Sequence, residues 1–228
     1  MIIWNKAVAK RSGVALALSG GGFRATLFHL GSLRRLNELG ILGKLDAVSS
    51  VSGGSMMAAC LADAMMSAGP GTLANFNALA DKVHALTSCN LRRHVELDKL
   101  KPWNWIKGLA VLVAEELQDR ITRRPLADLP TTPQFLFCAT DMVFGVNWVY
   151  THDCAGDWQA GYTSVDSREI GIAHAAAASA CFPPVFAPID TQVPSENLKG
   201  GGATGPDADQ GRQRIRLTTH CDASRRRH

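Results

Sequence analysis

Two apolar segments near the beginning of the chain each stop at small polar residues and lead into a helical pattern. Residues 13–18 read GVALAL and end at Ser19, and residues 45–50 read LDAVSS. Apolar runs of this length, bounded by turn residues, are typical of buried parallel strands. We therefore predict one strand in each segment.

The segments after both predicted strands have the apolar spacing of helices. In residues 23–40, leucine recurs at every third position from Leu27 to Leu39, and Gly40 is a stop signal. Residues 53–69 read GGSMMAACLADAMMSAG and end before Pro70. Strand, glycine loop, helix, strand, tight turn and helix in this order predict a doubly wound α/β fold with two strand-to-helix corners side by side.

The remainder of the chain predicts further helices, two strands and a last helix. Residues 72–130 are helical in pattern, 134–142 and 146–153 alternate as strands, and 167–182 form an alanine-rich helix. After residue 194 the chain is polar, glycine-rich and without periodicity, so we predict no regular structure there. The predicted organisation is one domain over residues 1–194 and an irregular, disordered basic tail over residues 195–228.

Composition narrows the class of protein. A chain of 228 residues with 46% hydrophobic residues and a formal net charge of +4 fits one globular domain, and so mild a charge does not indicate nucleic acid as a partner. Its six cysteines form no C-x-x-C pair and no cluster with histidine, which predicts reduced thiols and no zinc site. GVALAL is too short for a signal-peptide core, and no apolar run reaches the roughly 18 residues of a transmembrane helix. We expect a cytoplasmic protein without a metal or organic cofactor.

The turn between the second strand and its helix contains a candidate nucleophile. Ser52 lies in SVSGGS, a G-x-S-x-G pattern with Ser50 in place of the first glycine, in which small neighbours leave the serine Oγ exposed. Ser49 still belongs to the strand, and Ser55 already belongs to the helix. The helix that begins at Gly53 directs free N–H groups and the positive end of its dipole to the same turn. The alternative is a helix N-cap serine beside a glycine turn.

The first corner reads SGGGFRA and offers backbone N–H groups to an anion. The amides of Gly20, Gly21 and Gly22 can converge on one point, and Arg24 adds positive charge. An oxyanion hole for the tetrahedral intermediate of acyl transfer needs such donors. A phosphate-binding loop and a simple tight turn are the alternatives, although the Lys-Ser/Thr pair of a Walker loop is absent. Together with Ser52 on the next strand, the loop predicts an acyl-transfer site.

Four successive segments resemble the bacterial patatin-like phospholipases: GGGFRATLFHLGSLRRLNELG, AVSSVSGGS, PQFLFCATDMVFGV and AAAASACFPPVFAPI, within about residues 13–190. The resemblance implies an α/β fold with a mostly parallel sheet between helices, a helical cap region and an irregular C-terminal tail. It also implies a lipid acyl hydrolase, of phospholipase A or carboxylesterase type, that uses a Ser-Asp dyad without histidine. By motif match Ser52 takes the role of nucleophile, and Gly20, Gly21 and Gly22 take that of the oxyanion hole.

The aspartate of the dyad that the resemblance implies is missing from its expected place. The family carries it in an Asp-Gly-Gly or Asp-Gly-Ala motif after the alanine-rich helix, and no Asp-Gly dipeptide follows Ser52 here. Asp222 in IRLTTHCDASRRRH is the nearest substitute; Asp207 and Asp209 are further aspartates of the tail, and all three also fit solvated tail residues. We therefore expect a truncated or frame-shifted C-terminus and weak or no activity. The alternative is a non-catalytic lipid-binding protein of the same fold.

A conventional Ser-His-Asp esterase is a third hypothesis. His152, His174 and His220 follow the candidate nucleophile and are the possible bases, although so early a nucleophile is unlike the α/β-hydrolases. His29, on the apolar side of the first helix, is interpreted as a packed residue. Asp141 is interpreted as the cap of a turn.

Two segments bear on contact with lipid. Residues 103–113, WNWIKGLAVLV, fit either a membrane-interface segment or a cap helix over the core. The basic groups RQRIR and RRR near the C-terminus fit either attraction to anionic lipid or a solvated tail. We expect an acyl lipid or phospholipid as the substrate, with membrane contact that is at most peripheral.

Overall fold

The computed structural model describes residues 12–69, 73–89, 109–165, 170–182, 186–191, 193–204, 211–213 and 215–218. Residues 90–108, which include the first part of the candidate cap helix at residues 103–113, lie outside the described residues. The strands are β1 (Ala15–Leu18), β2 (Ala47–Val51), β3 (Gln134–Asp141), β4 (Asn147–Tyr150), β5 (Cys154–Asp157), β6 (Gly161–Ser164), β7 (Ile189–Asp190) and β8 (Arg216–Thr218). The α-helices are α1 (Gly22–Glu38), α2 (Gly53–Ala68), α3 (Phe76–Thr87), α4 (Leu109–Arg120) and α5 (Ile172–Ala180).

One mixed sheet joins these eight strands. β1, β2 and β3 run parallel, with Leu18 beside Ser50 and Val51 beside Cys138. β4, β5 and β6 continue the sheet as an antiparallel meander. The turns between these strands are short, and short turns allow only antiparallel pairing, whereas a parallel pair needs a crossover connection. The α/β class is confirmed, and the parallel part of the sheet is smaller than predicted.

The chain returns to the sheet after residue 194. β8 pairs antiparallel with β3, with Thr218 beside Thr140, and it also pairs with β7. The side chains of Ile215 and Leu217 are buried against the core. The prediction of no regular structure after residue 194 is therefore wrong for Arg216–Thr218, because a strand of three residues is too short to show alternation. The division of the chain at residue 194 stays a prediction.

Helix α2 is the most buried helix of the N-terminal half and connects the other helices. It packs against α1, α3 and α5, and α4 packs in turn against α5. Met57 and Leu61 of α2 are fully buried. Such a helix can be enclosed in this way because alanine lets neighbouring helices approach closely, while the flexible methionine side chains fill the gaps between them. The helix whose first turn carries the candidate site is therefore held by three neighbouring helices.

The leucine repeat of α1 is buried only in its middle. Leu30 and Leu33 are buried, whereas Leu27 and Leu39 are exposed. A repeat of three residues drifts around a helix that has about 3.6 residues per turn, so these leucines cannot share one face. The buried face of α1 includes Thr26 and the leucines at its centre.

Three features of the described residues bear on the predicted class. The described cysteines, Cys60, Cys89, Cys138, Cys154 and Cys181, are all free thiols. No group of histidine, cysteine and acidic residues in these segments is arranged to hold a metal ion. Among the helices that the structure describes, none has both the length and the apolar character needed to cross a bilayer.

Candidate active site

Ser52 occupies a strained turn between β2 and α2. Its φ of 55° and ψ of −121° make it the only non-glycine residue with a positive φ in the described part of the chain. Such a conformation is unfavourable for a residue with a Cβ and persists where the surrounding structure imposes it. A strained strand-to-helix turn exposes a serine Oγ at the carboxyl edge of an α/β sheet. Ser52 thus stands at the position that the sequence predicts, between strand and helix.

The glycine loop, residues 19–22, lies directly against the Ser52 turn. Leu18 and Ser50 are neighbours in the sheet, so Gly20 and Ser52, each two residues further along, leave it side by side. A Cβ on Gly20 would lie 3.2 Å from the Ser52 Cβ and 3.8 Å from the Ser52 Oγ. The structure therefore brings the two predicted corners together.

The first turn of α2 packs on the backbone of the loop and requires glycine there. A Cβ on Gly53 would lie 2.1 Å from the Gly22 carbonyl oxygen, and one on Gly54 would lie 2.3 Å from the Leu18 carbonyl oxygen. The Thr26 hydroxyl donates a hydrogen bond of 2.8 Å to the Gly53 carbonyl. These contacts join β1, α1 and α2 into one unit, so the loop and the Ser52 turn keep a fixed relative position.

The electrostatics of the site favour a negative charge. Within the described residues, the N–H groups of Gly20, Gly21 and Gly22 have no protein acceptor, and the first turns of α1 and α2 contain no acidic residue. The N-termini of both helices carry partial positive charge and unpaired N–H donors. Arg24 is exposed in the first turn of α1. The arrangement can stabilise an oxygen anion next to the Ser52 Oγ.

A buried hydroxyl network supports the Ser52 turn from the core side. The Ser52 N–H donates to Ser179 Oγ over 2.9 Å, and the Ser179 hydroxyl donates to the Cys138 carbonyl over 2.6 Å. Ser55 Oγ lies 2.8 Å from Ser179 Oγ and 3.0 Å from Ser50 Oγ. Helix α5 and strand β3 are thereby joined to the turn. This role of Ser179 could not be predicted from the sequence, because its only signal is a single hydroxyl among the alanines of α5.

Removing the Ser179 hydroxyl should loosen the Ser52 turn. In Ser179→Ala the buried Ser52 N–H loses its acceptor, and we expect the free energy of unfolding to fall by about 1 to 3 kcal/mol. We expect kcat for ester hydrolysis to fall about tenfold, because the nucleophile is held less firmly. Denaturant unfolding and a p-nitrophenyl ester assay measure the two effects. Ser67→Ala is the control, since that hydroxyl donates within the exposed side of α2; equal losses in both variants would contradict the role of Ser179.

The described candidate histidines do not approach Ser52. His152 follows β4, at the edge of the sheet opposite Ser52, and its Nδ1 lies 2.7 Å from Asp153 Oδ1. His174 lies on α5 five residues before Ser179, about 7.5 Å along the helix axis, with its ring 6.1 Å from that of Tyr150. Burial lowers the pKa of His174 to about 4, so the imidazole is neutral at physiological pH. The geometry gives no support to a Ser-His-Asp arrangement through either histidine.

Asp141 caps the turn after β3 and belongs to a buried pair of carboxyl groups. Its Oδ1 accepts from the N–H of Val143 over 2.6 Å and of Phe144 over 3.3 Å, which confirms the predicted cap. Asp157 accepts two backbone N–H groups of its own turn in the same way. Both side chains are fully buried, and the Oδ2 atom of each has no hydrogen-bond partner among the described residues. Two neighbouring carboxyl groups in this environment favour a state in which they share one proton. Burial is the main cause that raises the pKa of Asp141 to about 7, and the nearby Asp157 carboxyl contributes to the same shift.

The shared proton makes stability depend on pH. Because the folded pKa of Asp141 is raised, its contribution to stability is fully present below about pH 4 and is lost as the pH rises through about 7. In Asp141→Asn the amide N–H group takes the place of the shared carboxyl proton at every pH. Between pH 5 and pH 8 we therefore expect the free energy of unfolding of this variant to fall by about 2 kcal/mol less than that of the wild type. Urea unfolding at both pH values measures the difference. The low pKa of His174 makes stability rise with pH instead, but this contribution is the same in both proteins and cancels in the comparison. Identical dependence of the free energy of unfolding on pH in the wild type and Asp141→Asn would contradict the shared proton.

Four candidate residues of the tail lie outside the described residues: Asp207, Asp209, His220 and Asp222. β8 is described as far as Thr218, which pairs with Thr140. Because β8 is antiparallel to β3, the chain at Thr218 runs towards Cys138, which pairs with Val51 beside the candidate nucleophile. The carboxyl end of β8 is therefore directed at the site.

Comparison with known proteins identifies the family of this chain. The model of the patatin-like phospholipase family matches residues 16–200. A search of curated proteins found no match. Among solved structures, human GIVD cytosolic phospholipase A2 has a TM-score of 0.48 and 14% identity over 74% of this chain and 28% of its own. VipD from Legionella pneumophila has a TM-score of 0.45 and 15% identity over 91% of this chain and 46% of its own. This chain spans less than half the length of either.

Proposed function

Because the chain belongs to the patatin-like phospholipase family, we propose that it hydrolyses acyl esters of lipids through a covalent acyl intermediate on Ser52. The observation that carries the proposal is the contact between the two corners. The Ser52 Oγ, on a strained turn, lies 3.8 Å from the point that a Cβ would occupy if Gly20 carried one. The N–H groups of the loop that contains Gly20 have no acceptor among the described residues. Nucleophile and anion-binding donors are the two parts that acyl transfer to serine requires.

In the proposed reaction the Ser52 Oγ loses its proton to a base and bonds to the ester carbonyl carbon. The carbonyl oxygen becomes an oxyanion and accepts hydrogen bonds from the loop amides of Gly20, Gly21 and Gly22, in the field of the α2 terminus at Gly53. The bond to the alkoxide then breaks, and the alkoxide leaves with the proton held by the base. Water attacks the acyl-Ser52 ester by the same sequence and releases the fatty acid.

We assign the role of base to Asp222. The assignment rests on the direction of β8, which runs towards the Ser52 turn, and on the sequence, in which Asp222 is the first aspartate after Thr218. Asp141, the described aspartate at the end of β3, is occupied by its own turn and by Asp157. Arg24, exposed on α1, is positioned to add positive charge near the loop rather than to take a proton.

Apolar side chains near the turn suit an acyl chain as the ligand. Val51 directly precedes Ser52, and Phe182 follows α5 three residues after Ser179; both are exposed. Exposed apolar residues beside a polar reaction centre fit a substrate with a long hydrocarbon chain and an ester head. We therefore propose acyl lipids or phospholipids as the substrate class, met at a lipid surface to which the protein binds peripherally.

Release of fatty acid from phosphatidylcholine vesicles tests the proposed function. Contrary to the expectation of weak or no activity drawn from the missing Asp-Gly motif, we propose hydrolysis by the wild type, because β8 runs towards the Ser52 turn and Asp222 follows it. We expect a large loss of activity in Ser52→Ala and in Asp222→Asn. His152→Ala and His174→Ala should stay active, because neither histidine approaches Ser52 in the structure. Loss of activity in a folded histidine variant would favour a Ser-His-Asp esterase. Binding to vesicles without hydrolysis would favour the non-catalytic protein that the missing Asp-Gly motif suggests.

A further inference from the structure

His29 holds the peptide group that joins Ser19 to Gly20. Its Nε2 lies 2.9 Å from the Ser19 carbonyl oxygen, and the side chain is only 5% exposed. A carbonyl oxygen can only accept, so Nε2 must carry the hydrogen and donate it. The Ser19 hydroxyl lies 3.5 Å from the same nitrogen, beyond the range of a good hydrogen bond. The contact is therefore directed at the backbone at the beginning of the glycine loop.

The position of the Ser19 carbonyl fixes the direction of the Gly20 N–H. Both groups belong to one planar trans peptide, in which C=O and N–H point in opposite directions. The same carbonyl oxygen faces α2, since a Cβ on Gly54 would lie 2.8 Å from it. With the carbonyl held between α1 and α2, the Gly20 N–H points away from both helices, and Gly20 itself lies beside Ser52.

We propose that His29 is a positioning residue for the oxyanion hole, acting through the Ser19–Gly20 peptide on the Gly20 amide. The inference rests on the proposed function, in which that amide donates to the oxyanion. Without the imidazole donor, glycine allows this peptide to rotate because Gly20 tolerates backbone angles that other residues do not. Rotation would replace the N–H with a carbonyl oxygen, which repels the developing negative charge. His29 thus prevents a local rearrangement that the three glycines would otherwise permit.

The test uses two substitutions of His29 and one control on the same helix. His29→Leu removes the donor, and His29→Gln keeps an N–H donor near the position of Nε2. Asn37→Leu removes another side-chain hydrogen bond from α1 to a backbone carbonyl, that of Leu73, far from the loop. Hydrolysis of p-nitrophenyl butyrate and the melting temperature are measured for each protein.

We expect His29→Leu to lower kcat about 10- to 100-fold with KM nearly unchanged, because the amide acts on the transition state. His29→Gln should recover kcat to within about threefold of the wild type, and Asn37→Leu should lower the melting temperature without lowering kcat. If His29→Leu keeps the wild-type kcat while Ser52→Ala is inactive, the role of His29 is wrong and the proposed function stands. Inactivity of the wild type itself would contradict the proposed function.

A readout independent of activity is the orientation of the Ser19–Gly20 peptide in crystal structures of both variants. We expect a rotated or disordered peptide in His29→Leu and the wild-type orientation in His29→Gln. An unchanged, ordered peptide in His29→Leu would overturn the inference, whatever the activity of the chain. A rotated peptide in both variants would also overturn it, because the rotation would then not depend on the donor.

Discussion

Ser52→Ala should abolish ester hydrolysis, lowering kcat by about four to six orders of magnitude. Without the Oγ no acyl intermediate can form. The loop donors can then only bind the ester and stabilise its slow attack by water, which leaves a small residual rate enhancement. Alanine keeps the Cβ and so the strained backbone, which leaves the fold of the turn unchanged. Hydrolysis of p-nitrophenyl butyrate and the melting temperature measure the two properties.

Two further variants separate chemistry from strain at the same turn. Ser49→Ala removes a hydroxyl of β2 that contacts the thiol of Cys138, and it should keep activity. Ser52→Gly removes the nucleophile and also the strain at φ 55°, so it should be inactive and more stable than Ser52→Ala by about 1 kcal/mol. Full activity in either Ser52 variant would contradict the assignment of the nucleophile.

Gly21→Ala should lower kcat about 100- to 1000-fold while the protein remains folded, because removing one oxyanion donor has an effect of this size. Gly21 has a φ of 137°, which a residue with a Cβ rarely adopts, and the added Cβ would lie 3.2 Å from that of Ala25. The backbone of the loop must therefore shift, and its amides turn away from the position of the oxyanion. Steady-state kinetics and a melting curve measure the result.

Two glycines on and after α1 provide matched controls for this substitution. Gly40→Ala places a Cβ at a φ of 68° in open space, far from the site, and should reduce stability without affecting kcat. Gly31→Ala is in the middle of α1, also in open space, and should stabilise the helix by about 1 kcal/mol. If Gly21→Ala loses no more kcat than Gly40→Ala, the loop has a structural role only.

The parts of the site that local sequence determines could be predicted. The Ser52 turn and the glycine loop each follow a strand and open a helix, and glycine and serine at these corners reflect backbone needs that are visible within a few residues. Their meeting also follows from sequence order, because consecutive parallel strands place their carboxyl ends at one edge of the sheet. The structure confirms both corners and their contact.

The supporting contacts could not be predicted, because they join distant parts of the chain. The bond from the Ser52 N–H to Ser179 spans 127 residues, and a single serine in an alanine-rich helix does not indicate its partner. The pairing of Asp141 with Asp157 depends on the register of β3, β4 and β5. β8 escaped prediction because its pairing with β3 and β7, rather than its own pattern, makes it a strand.

His29 illustrates the limit of interpretation by residue type. On the apolar side of α1 it resembles a packed histidine, and the structure does bury it. What distinguishes it from an ordinary packed histidine is its hydrogen bond to one backbone oxygen, that of Ser19. A side chain that binds a main-chain group leaves no distinctive pattern in the sequence, since any residue can supply the carbonyl.

Covalent labelling tests most directly the claim that Ser52 is an activated nucleophile beside an oxyanion hole. The protein is incubated with an alkyl fluorophosphonate, whose phosphorus bonds to the serine Oγ as fluoride leaves, and the intact mass and the modified peptide are determined by mass spectrometry. We expect one adduct, on the peptide that contains Ser52, with no adduct in Ser52→Ala and slower labelling in Gly21→Ala. An unlabelled wild type, or a Ser52→Ala protein labelled as fast as the wild type, would contradict this claim.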